Sequence, residues 1–158
     1  MFVRTARETD VSDIAHIFTS RWGDVAGGAV SVGEGDTVSE TRFDVTRLQR
    51  DIRQADEHGW VVAVDDDAVV AAAGGDLVGD ESGEVFSLHA HPDVQLTDAG
   101  TAVLQTITAQ QVVAGAREQY ATCLPHDDEA LSFFSEHGFE VVSEDTGSGG
   151  AIRLVRRI

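Results

Sequence analysis

Lysine is absent from this sequence, and cysteine, methionine and tyrosine each occur once. The single cysteine, Cys123, excludes an internal disulfide and any metal site made of clustered cysteines. No apolar run is long enough to span a membrane, and the first residues do not form the apolar core of a signal peptide. We therefore expect a cytoplasmic protein without a membrane partner.

The charge of the chain is strongly acidic. Aspartate and glutamate number 28 against 11 basic residues, all of them arginine, which gives a formal net charge of −17. An acidic chain without lysine is typical of a halophilic protein in molar salt; the alternative is an acidic protein that happens to lack lysine. No basic patch exists to neutralise phosphates, so the sequence predicts no nucleic-acid partner. A small anionic ligand stays open, because at about 1 M salt the screening length is roughly 3 Å and only charges in contact matter.

Hydrophobic periodicity and turn residues divide the 158 residues into short strands and amphipathic helices, as in one mixed α/β domain over residues 1–158. Strands are expected at Met1–Thr5, Trp60–Val64, Ala68–Gly75, Glu84–Ala90, Tyr120–Leu124, Phe139–Ser143 and Ala151–Val155. Helices are expected around Val11–Phe18 and at Phe43–Ala55, Asp98–Glu118 and Asp127–His137.

Two of the predicted loops differ from each other in length and composition. The segment Arg21–Arg42 is rich in glycine and polar residues and is predicted to be a long loop, with a short extended piece at Ala29–Val32. A connection of that length indicates a lid or a substrate-side role. Asp65–Asp67, in contrast, is predicted to form a tight hairpin turn. The strand Tyr120–Leu124 follows a crossover helix, so it should run parallel to Glu84–Ala90.

One stretch joins a strand to a long amphipathic helix through a polar turn. The strand Glu84–Ala90 stops before Pro92, the turn is Gln95–Gly100, and the helix follows at once. The apolar side of that helix is predicted at Val103, Leu104, Ile107, Val112 and Val113. The start of such a helix presents unpaired N–H groups and the positive end of the helix dipole, which suits a phosphate group.

This order of elements and two local patterns resemble the GNAT acyltransferase family, whose members transfer acyl groups from acyl-CoA to amines. The first pattern runs from Glu84 to Leu104 and matches the family's strand–proline–(Arg/Gln)-x-x-Gly-x-(Gly/Ala)–helix signature. The second runs from Asp127 to Phe139 and matches its Asn-x-x-Ala-x-x-Phe-Tyr-x-x-x-Gly-Phe segment. The resemblance covers nearly the whole chain and is weakest between Arg21 and Arg42.

The resemblance implies the GNAT fold, a mixed α/β sheet with the order β1-α1-α2-β2-β3-β4-α3-β5-α4-β6-β7. It also implies an N-acetyltransferase with acetyl-CoA as co-substrate and an amine of a small molecule or a protein as acceptor. The alternative is a catalytically silent GNAT-fold domain that binds a ligand or a partner. Dimerisation is common in the family, but no residue of this chain signals a homodimer.

The resemblance also assigns cofactor contacts to particular residues. Pantetheine would pair with the exposed backbone of Leu88, His89 and Ala90. The pyrophosphate would contact the turn and the start of the helix, which comprise Gln95, Leu96, Thr97, Asp98, Ala99, Gly100 and Thr101. Asp127 stands in place of the family's asparagine near pantetheine. Phe134 stands where many members carry the tyrosine that protonates the leaving thiolate.

Three of these positions depart from the family pattern. Asp98 replaces the first loop glycine, where aspartate disfavours positive φ and places a carboxylate near the pyrophosphate. Phe134 cannot donate a proton. Each departure also has a structural explanation: Thr97 or Asp98 would be the N-cap of the long helix, Asp127 would cap the next helix, and Phe134 would fill the core.

The candidate general bases are Glu84, which opens the central strand, and His89, near its end. His89 and His91 also suggest a metal pair, but no third ligand is evident, so we predict a surface or cleft pair and no metal. Cys123 is expected to be a buried small hydrophobe rather than a nucleophile. Tyr120, at the start of its strand, is predicted to lie too far away to replace the missing tyrosine.

Overall fold

The structure, a computed structural model, describes residues 1–18, 45–54, 59–123, 127–144 and 152–158. The predicted loop Arg21–Arg42, with its extended piece at Ala29–Val32, lies outside the described residues. The strands are β1 (Phe2–Thr5), β2 (Trp60–Asp65), β3 (Ala68–Leu77), β4 (Ser82–Ala90), β5 (Glu118–Cys123), β6 (Glu140–Glu144) and β7 (Ile152–Arg157). The helices are α1 (residues 11–18), α2 (Val45–Gln54), α3 (Thr101–Val113) and α4 (Asp128–Glu136).

All seven strands form one mixed sheet in the order β1-β2-β3-β4-β5-β7-β6. β4 and β5 pair in parallel and every other neighbouring pair is antiparallel. The predicted mixed α/β fold class and the parallel pairing of the two central strands are therefore confirmed.

Both faces of the sheet are covered by helices. β2 shows why, since it is apolar without a break and its alternating side chains enter two different cores. Val61 and Ala63 pack in the core beneath α3 and α4. Trp60, Val62 and Val64 pack in the core beneath α1 and α2. The sheet therefore separates two compartments, which we call the α3 face and the α1 face.

The turn between β2 and β3 forms as the sequence predicts. Asp66 and Asp67 have φ values of 50° and 65°. Positive φ at both central residues is the geometry of a two-residue hairpin turn, and aspartate tolerates it better than most residues.

A carboxylate connects the end of β1 to the start of α1. Asp10 is buried and accepts hydrogen bonds from Arg4 Nη1 at 2.6 Å, from Arg4 Nη2 at 2.9 Å and from the backbone N–H of Arg7 at 2.7 Å. Burial acts to raise the pKa of Asp10, but the hydrogen bonds and charges of the two arginines outweigh it, so the pKa lies below its usual value. These hydrogen bonds connect β1 to the turn that leads into α1.

The end of α3 differs from the prediction. The helix stops at Val113 instead of reaching Glu118, because Gly115 adopts a φ of 105° and β5 already begins at Glu118. Val112 and Val113, predicted on the apolar side, are 47% and 87% exposed, while Gln111 is buried. Gln111 continues the inward-facing row because it lies four residues beyond the buried Ile107.

Gln111 and a second glutamine form a polar network inside the α3 face. Gln111 Nε2 donates to the backbone oxygens of Glu84 at 3.1 Å and Asp76 at 3.3 Å. Gln119 Nε2 donates to Gln111 Oε1 at 2.9 Å. A Cβ on Gly83 would collide with the Gln111 side chain, so the glycine leaves room for it. The network pairs polar groups that would otherwise lose hydrogen bonds on burial.

Arg156 completes this network with a positive charge. Its Nε donates to Gln119 Oε1 at 2.9 Å, its Nη1 to the backbone oxygen of His137 at 2.8 Å, and its Nη2 to Thr108 Oγ1 at 2.9 Å. Its guanidinium also lies 4.7 Å from the ring centre of Phe139. These partners are all uncharged, and burial lowers the pKa of Arg156. The guanidinium thus donates hydrogen bonds that connect β5, β7 and both helices of the α3 face, and we call this its hub role.

We expect Arg156→Met to lower the free energy of unfolding by about 2 kcal/mol, because it removes the donor that satisfies His137, Gln119 and Thr108. Urea denaturation at fixed salt concentration measures the change. Arg157→Met, at the exposed end of the same strand, is the matched control and should change stability by less than about 0.5 kcal/mol. Equal losses in the two variants would contradict the hub role of Arg156.

Candidate functional site

The sheet opens between its two parallel strands. β4 and β5 pair from Ser82↔Glu118 to Val85↔Ala121, and in the described residues the ladder ends there. Both strands nevertheless continue, β4 to Ala90 and β5 to Cys123. We call this opening the fork; its arms are Phe86–Ala90 and Thr122–Cys123. Within the described residues no ladder pair joins the two arms, so the fork resembles a sheet edge to which an extended ligand could add.

A bulge in β4 accompanies the opening. Gly74 of β3 pairs with Ser87 and Gly75 pairs with Val85, so Phe86 is an extra residue in β4. Bulges bend a strand and increase its twist, which turns the end of β4 away from β5. The glycines permit this geometry, since a Cβ on Gly74 would lie 2.6 Å from the Phe86 ring.

The predicted pantetheine-binding residues lie on the β4 arm of the fork. Leu88, His89 and Ala90 pair with β3 on one side, and their other backbone edge borders the fork. The side chains of Leu88 and Ala90 pack into the core of the α3 face. The His89 ring points to the α1 face, where its centre lies 4.7 Å from that of Phe18 in an edge-on contact.

The polar turn leads into α3 through one wide helical turn, Leu96–Gly100, which is π-helical. Gln95 occupies the N-cap position without a side-chain cap, so the prediction that Thr97 or Asp98 caps the helix is wrong. The backbone N–H groups of Asp98 and Ala99 both donate to the Gln95 oxygen, at 3.1 and 3.3 Å. The wide turn thus satisfies some helix-start donors internally instead of through a side chain.

The expectation that Asp98 occupies a position of positive φ is also wrong. Among the described residues other than glycine, only Asp66 and Asp67 have positive φ. Gly100 is helical, with a φ of −63°, and its need for glycine is steric: a Cβ would lie 2.7 Å from Leu96 Cδ1. The backbone therefore accepts Asp98 without strain. Asp98 therefore departs from the family pattern only through its exposed negative charge in the first turn of the helix.

His137 connects the end of α4 to the start of α3. His137 Nδ1 lies 2.8 Å from the backbone oxygen of Phe133, so Nδ1 carries the proton and donates it. Its Nε2 lies 3.1 Å from Thr101 Oγ1, which also donates to the Thr97 oxygen at 2.6 Å. No local sequence pattern marks His137, because its contact with Thr101 joins residues far apart in the chain.

The second family pattern places its residues where the structural explanations predict. Asp127 caps α4, accepting a hydrogen bond from the Ala130 N–H at 3.1 Å. Phe134 is 4% exposed, and its ring makes edge-on contacts with Phe133 and Phe139. The position of the family's acidic tyrosine therefore carries a core side chain without a hydroxyl group.

Cys123 lies at the tip of the β5 arm. It is buried, and burial together with the charge of Asp127 raises the pKa of the thiol to about 11. A thiol with that pKa is protonated near neutral pH and is a poor nucleophile. The expectation of a buried small hydrophobe is confirmed.

Charged residues meet just below the fork on the α1 face. Glu84 is paired in register with Tyr120, one step before the last pair of the ladder. Arg153 Nη1 lies 3.4 Å from Glu84 Oε1, and the guanidinium covers the Tyr120 ring at 4.3 Å from its centre. The Tyr120 hydroxyl donates to Glu118 at 3.4 Å, which is on the side away from the fork. Arg153 was not identified from the sequence, because no motif marks it.

The histidines near the fork do not share one strand face. His91 lies past the end of β4, where its Nδ1 accepts a hydrogen bond from the Asp93 N–H at 3.1 Å. Its ring centre is 6.2 Å from that of His16. Over the described ranges, no three His, Cys, Asp or Glu side chains gather into a group that could hold a metal ion. None of the helices described is both long and apolar enough to cross a membrane.

Solved structures with the same fold include N-acetyltransferases. The PaiA N-acetyltransferase from Thermoplasma acidophilum, solved in complex with coenzyme A, superposes with a TM-score of 0.80 at 12% identity, over 99% of this chain and 98% of that one. The ribosomal-protein-alanine N-acetyltransferase from Brucella melitensis gives 0.72 at 15% identity, over 100% of both chains. The aminoglycoside 6'-N-acetyltransferase from Enterococcus faecium gives 0.70 at 14% identity, over 99% and 97%. At these identities, the likeness establishes the fold.

The sequence itself gives the family. A search of curated proteins found no match. The profile of the acetyltransferase (GNAT) family, however, matches residues 15–139, which include the whole of the fork, the polar turn, α3 and α4. The chain therefore belongs to the acetyltransferase (GNAT) family.

Proposed function

We propose that this protein, acting as a single domain over residues 1–158, transfers the acetyl group of acetyl-CoA to an amine of a small molecule or a protein. The fork between β4 and β5, next to the start of α3, is the observation that carries the proposal. It offers a strand edge to an extended ligand, beside a helix start that favours negative charge.

The chain's own residues fit the two ends of such a ligand. The backbone edge of Leu88, His89 and Ala90 that borders the fork has the kind of hydrogen-bonding groups that the amides of pantetheine require. The wide turn and the 13 residues of α3 provide N–H groups and a dipole for the pyrophosphate, without any lysine. Asp98 opposes this binding, since its exposed carboxylate lies in the same turn.

Glu84 is the better of the two candidate bases. Its carboxylate lies just below the fork and is partly open to solvent, with 22% of the side chain exposed. It would take a proton from the acceptor ammonium, through water where needed. The freed nitrogen would then bond to the acyl carbon as the bond from that carbon to sulfur breaks. With Phe134 buried in the core, water would protonate the leaving thiolate.

The silent-domain alternative has its own support. Phe134 supplies no acid, and Asp98 places a negative charge where a pyrophosphate would lie. The fork would persist without catalysis, because the bulge and the glycines opposite it belong to the fold. In that case the domain would bind a ligand or a partner without transferring a group.

Calorimetric titration of acetyl-CoA into the protein tests the proposal. The titration should be run in molar KCl, because the acidic, lysine-free composition predicts a protein adapted to high salt. We expect saturable binding with a stoichiometry of one. The absence of binding up to millimolar acetyl-CoA would contradict the acetyltransferase proposal. Binding without turnover of any amine in a broad panel would favour the silent domain.

We expect Asp98→Asn to tighten acetyl-CoA binding by roughly threefold to tenfold, because it removes a like charge near the pyrophosphate and keeps the side-chain shape. The same titration measures the effect. Asp80→Asn, in the exposed turn before β4 at the other end of the sheet, is the matched control and should leave affinity unchanged. Unchanged affinity in Asp98→Asn would show that the pyrophosphate does not approach this turn.

We expect Glu84→Gln to lower kcat by about a hundredfold or more while acetyl-CoA affinity stays the same, since the amide cannot accept the acceptor's proton. A thiol-release assay with a reactive amine measures kcat. Glu81→Gln, at an exposed position beside β4, is the control and should retain full activity. An unchanged rate in Glu84→Gln, with a large loss in His89→Ala, would move the role of base to His89.

A further inference from the structure

Two arginines of β7 occupy contrasting environments. Arg156, on the α3 face, donates three hydrogen bonds of 2.8 to 2.9 Å to uncharged partners. Arg153, on the α1 face, is 40% exposed, and to the described residues it donates one hydrogen bond, to Glu84 at 3.4 Å. Such a long contact between partly exposed groups contributes little to stability. Arg153 is therefore a cation that contributes little to stability through its described contacts, in a chain with a net charge of −17.

The position of Arg153 relates it to the fork. Its register partner on β5 is Thr122, the first residue of the β5 arm. From there its side chain leans over the Tyr120 ring towards Glu84. The ring supports the flat face of the guanidinium, and this leaves the N–H groups at its edge for a planar anion. Arginine held in this way suits a carboxylate, which can accept two parallel hydrogen bonds.

We propose that Glu84 and Arg153 form a site for a free amino acid as the acetyl acceptor, a proposal that rests on the acetyltransferase function above. The acceptor's carboxylate binds Arg153 and its ammonium binds Glu84. The two charges of an α-amino acid are separated by a single carbon, so both reach the neighbouring Glu84–Arg153 pair at once. A simple amine would use only the Glu84 half of the site.

The arrangement also accounts for the transfer step. Glu84 accepts a proton from the acceptor ammonium, and the resulting amine forms a C–N bond with the carbonyl carbon of the acyl-CoA thioester. The C–S bond breaks, the nitrogen loses its second proton to water, and CoA leaves as a thiolate that takes a proton from water. The product keeps its carboxylate on Arg153 but has lost its positive charge, so its hold on Glu84 weakens and release is favoured.

The test compares each of the standard amino acids with its own α-carboxamide, which keeps the amine and removes the acidic group. Thiol release from acetyl-CoA gives kcat/KM for each member of a pair. We expect the best amino acid to exceed its carboxamide by roughly a hundredfold, the scale of discrimination by a site built for a polar group. Equal values within each pair, or turnover of carboxamides only, would overturn the inference while leaving the acetyltransferase function intact.

Arg153→Met should abolish that preference, lowering kcat/KM for the amino acid to about that of its carboxamide. Arg157→Met, on the same face of the same strand but exposed beyond the site, should keep it. Calorimetric binding of the N-acetylated amino acid provides a readout without turnover and should weaken about tenfold or more in Arg153→Met only. If Arg153→Met does not fold, Arg153→Lys, which retains the charge and loses the two-point contact, should show a reduced preference.

Two outcomes separate this inference from the function on which it rests. Failure of the wild-type protein to bind acetyl-CoA would contradict the acetyltransferase function and the amino acid site together. Normal acetyl-CoA binding in Arg153→Met, with the amino acid preference unchanged, would contradict the amino acid site alone.

Discussion

The opening between β4 and β5 is the constraint on which the candidate site depends. In the part of the chain that the structure describes, the parallel ladder stops at Val85↔Ala121, and the extra residue Phe86 bends β4 at the point where the strands part. The bulge is possible because β3 presents two glycines opposite it, where a Cβ at Gly74 or Gly75 would lie within 3 Å of neighbouring atoms. A local packing requirement thus produces a cleft in the centre of a sheet that has helices on both faces.

The distribution of charge separates structural from functional roles. The partly buried positive charge of Arg156 is surrounded by neutral oxygens on the α3 face, where it organises the glutamine network. On the α1 face, Glu84 and Arg153 are partly exposed and only loosely joined, next to the fork. The chain has 28 acidic residues and only 11 arginines, so a carboxylate is common in it and a cation is not. The position of the cations is therefore more informative about the site than that of the acids.

Much of the fold could be predicted from the chain because its signals are local. Alternation, turn residues and helix caps identified the strands, the hairpin at Asp66–Asp67 and the cap at Asp127. The errors occurred where a local signal had two meanings. The sequence allowed Gly115 either to lie within a long helix or to end it. It ends the helix, because β5 pairs with β4 from Glu118 onwards. Asp98 followed a pattern in which glycine has positive φ, but the wide turn here keeps φ negative.

The sequence by itself determined the family, the mixed α/β class, the parallel central strands and the stretch that contains the candidate cofactor site. It determined these features because each depends on residues close together in the chain, through their spacing, helix caps and turn residues. Only the tertiary structure decided where the ladder ends, which face each charged side chain occupies, and that His137 meets Thr101 and Arg153 meets Glu84. Those contacts join residues far apart in the chain, and they exist only after the strands have paired and the helices have packed.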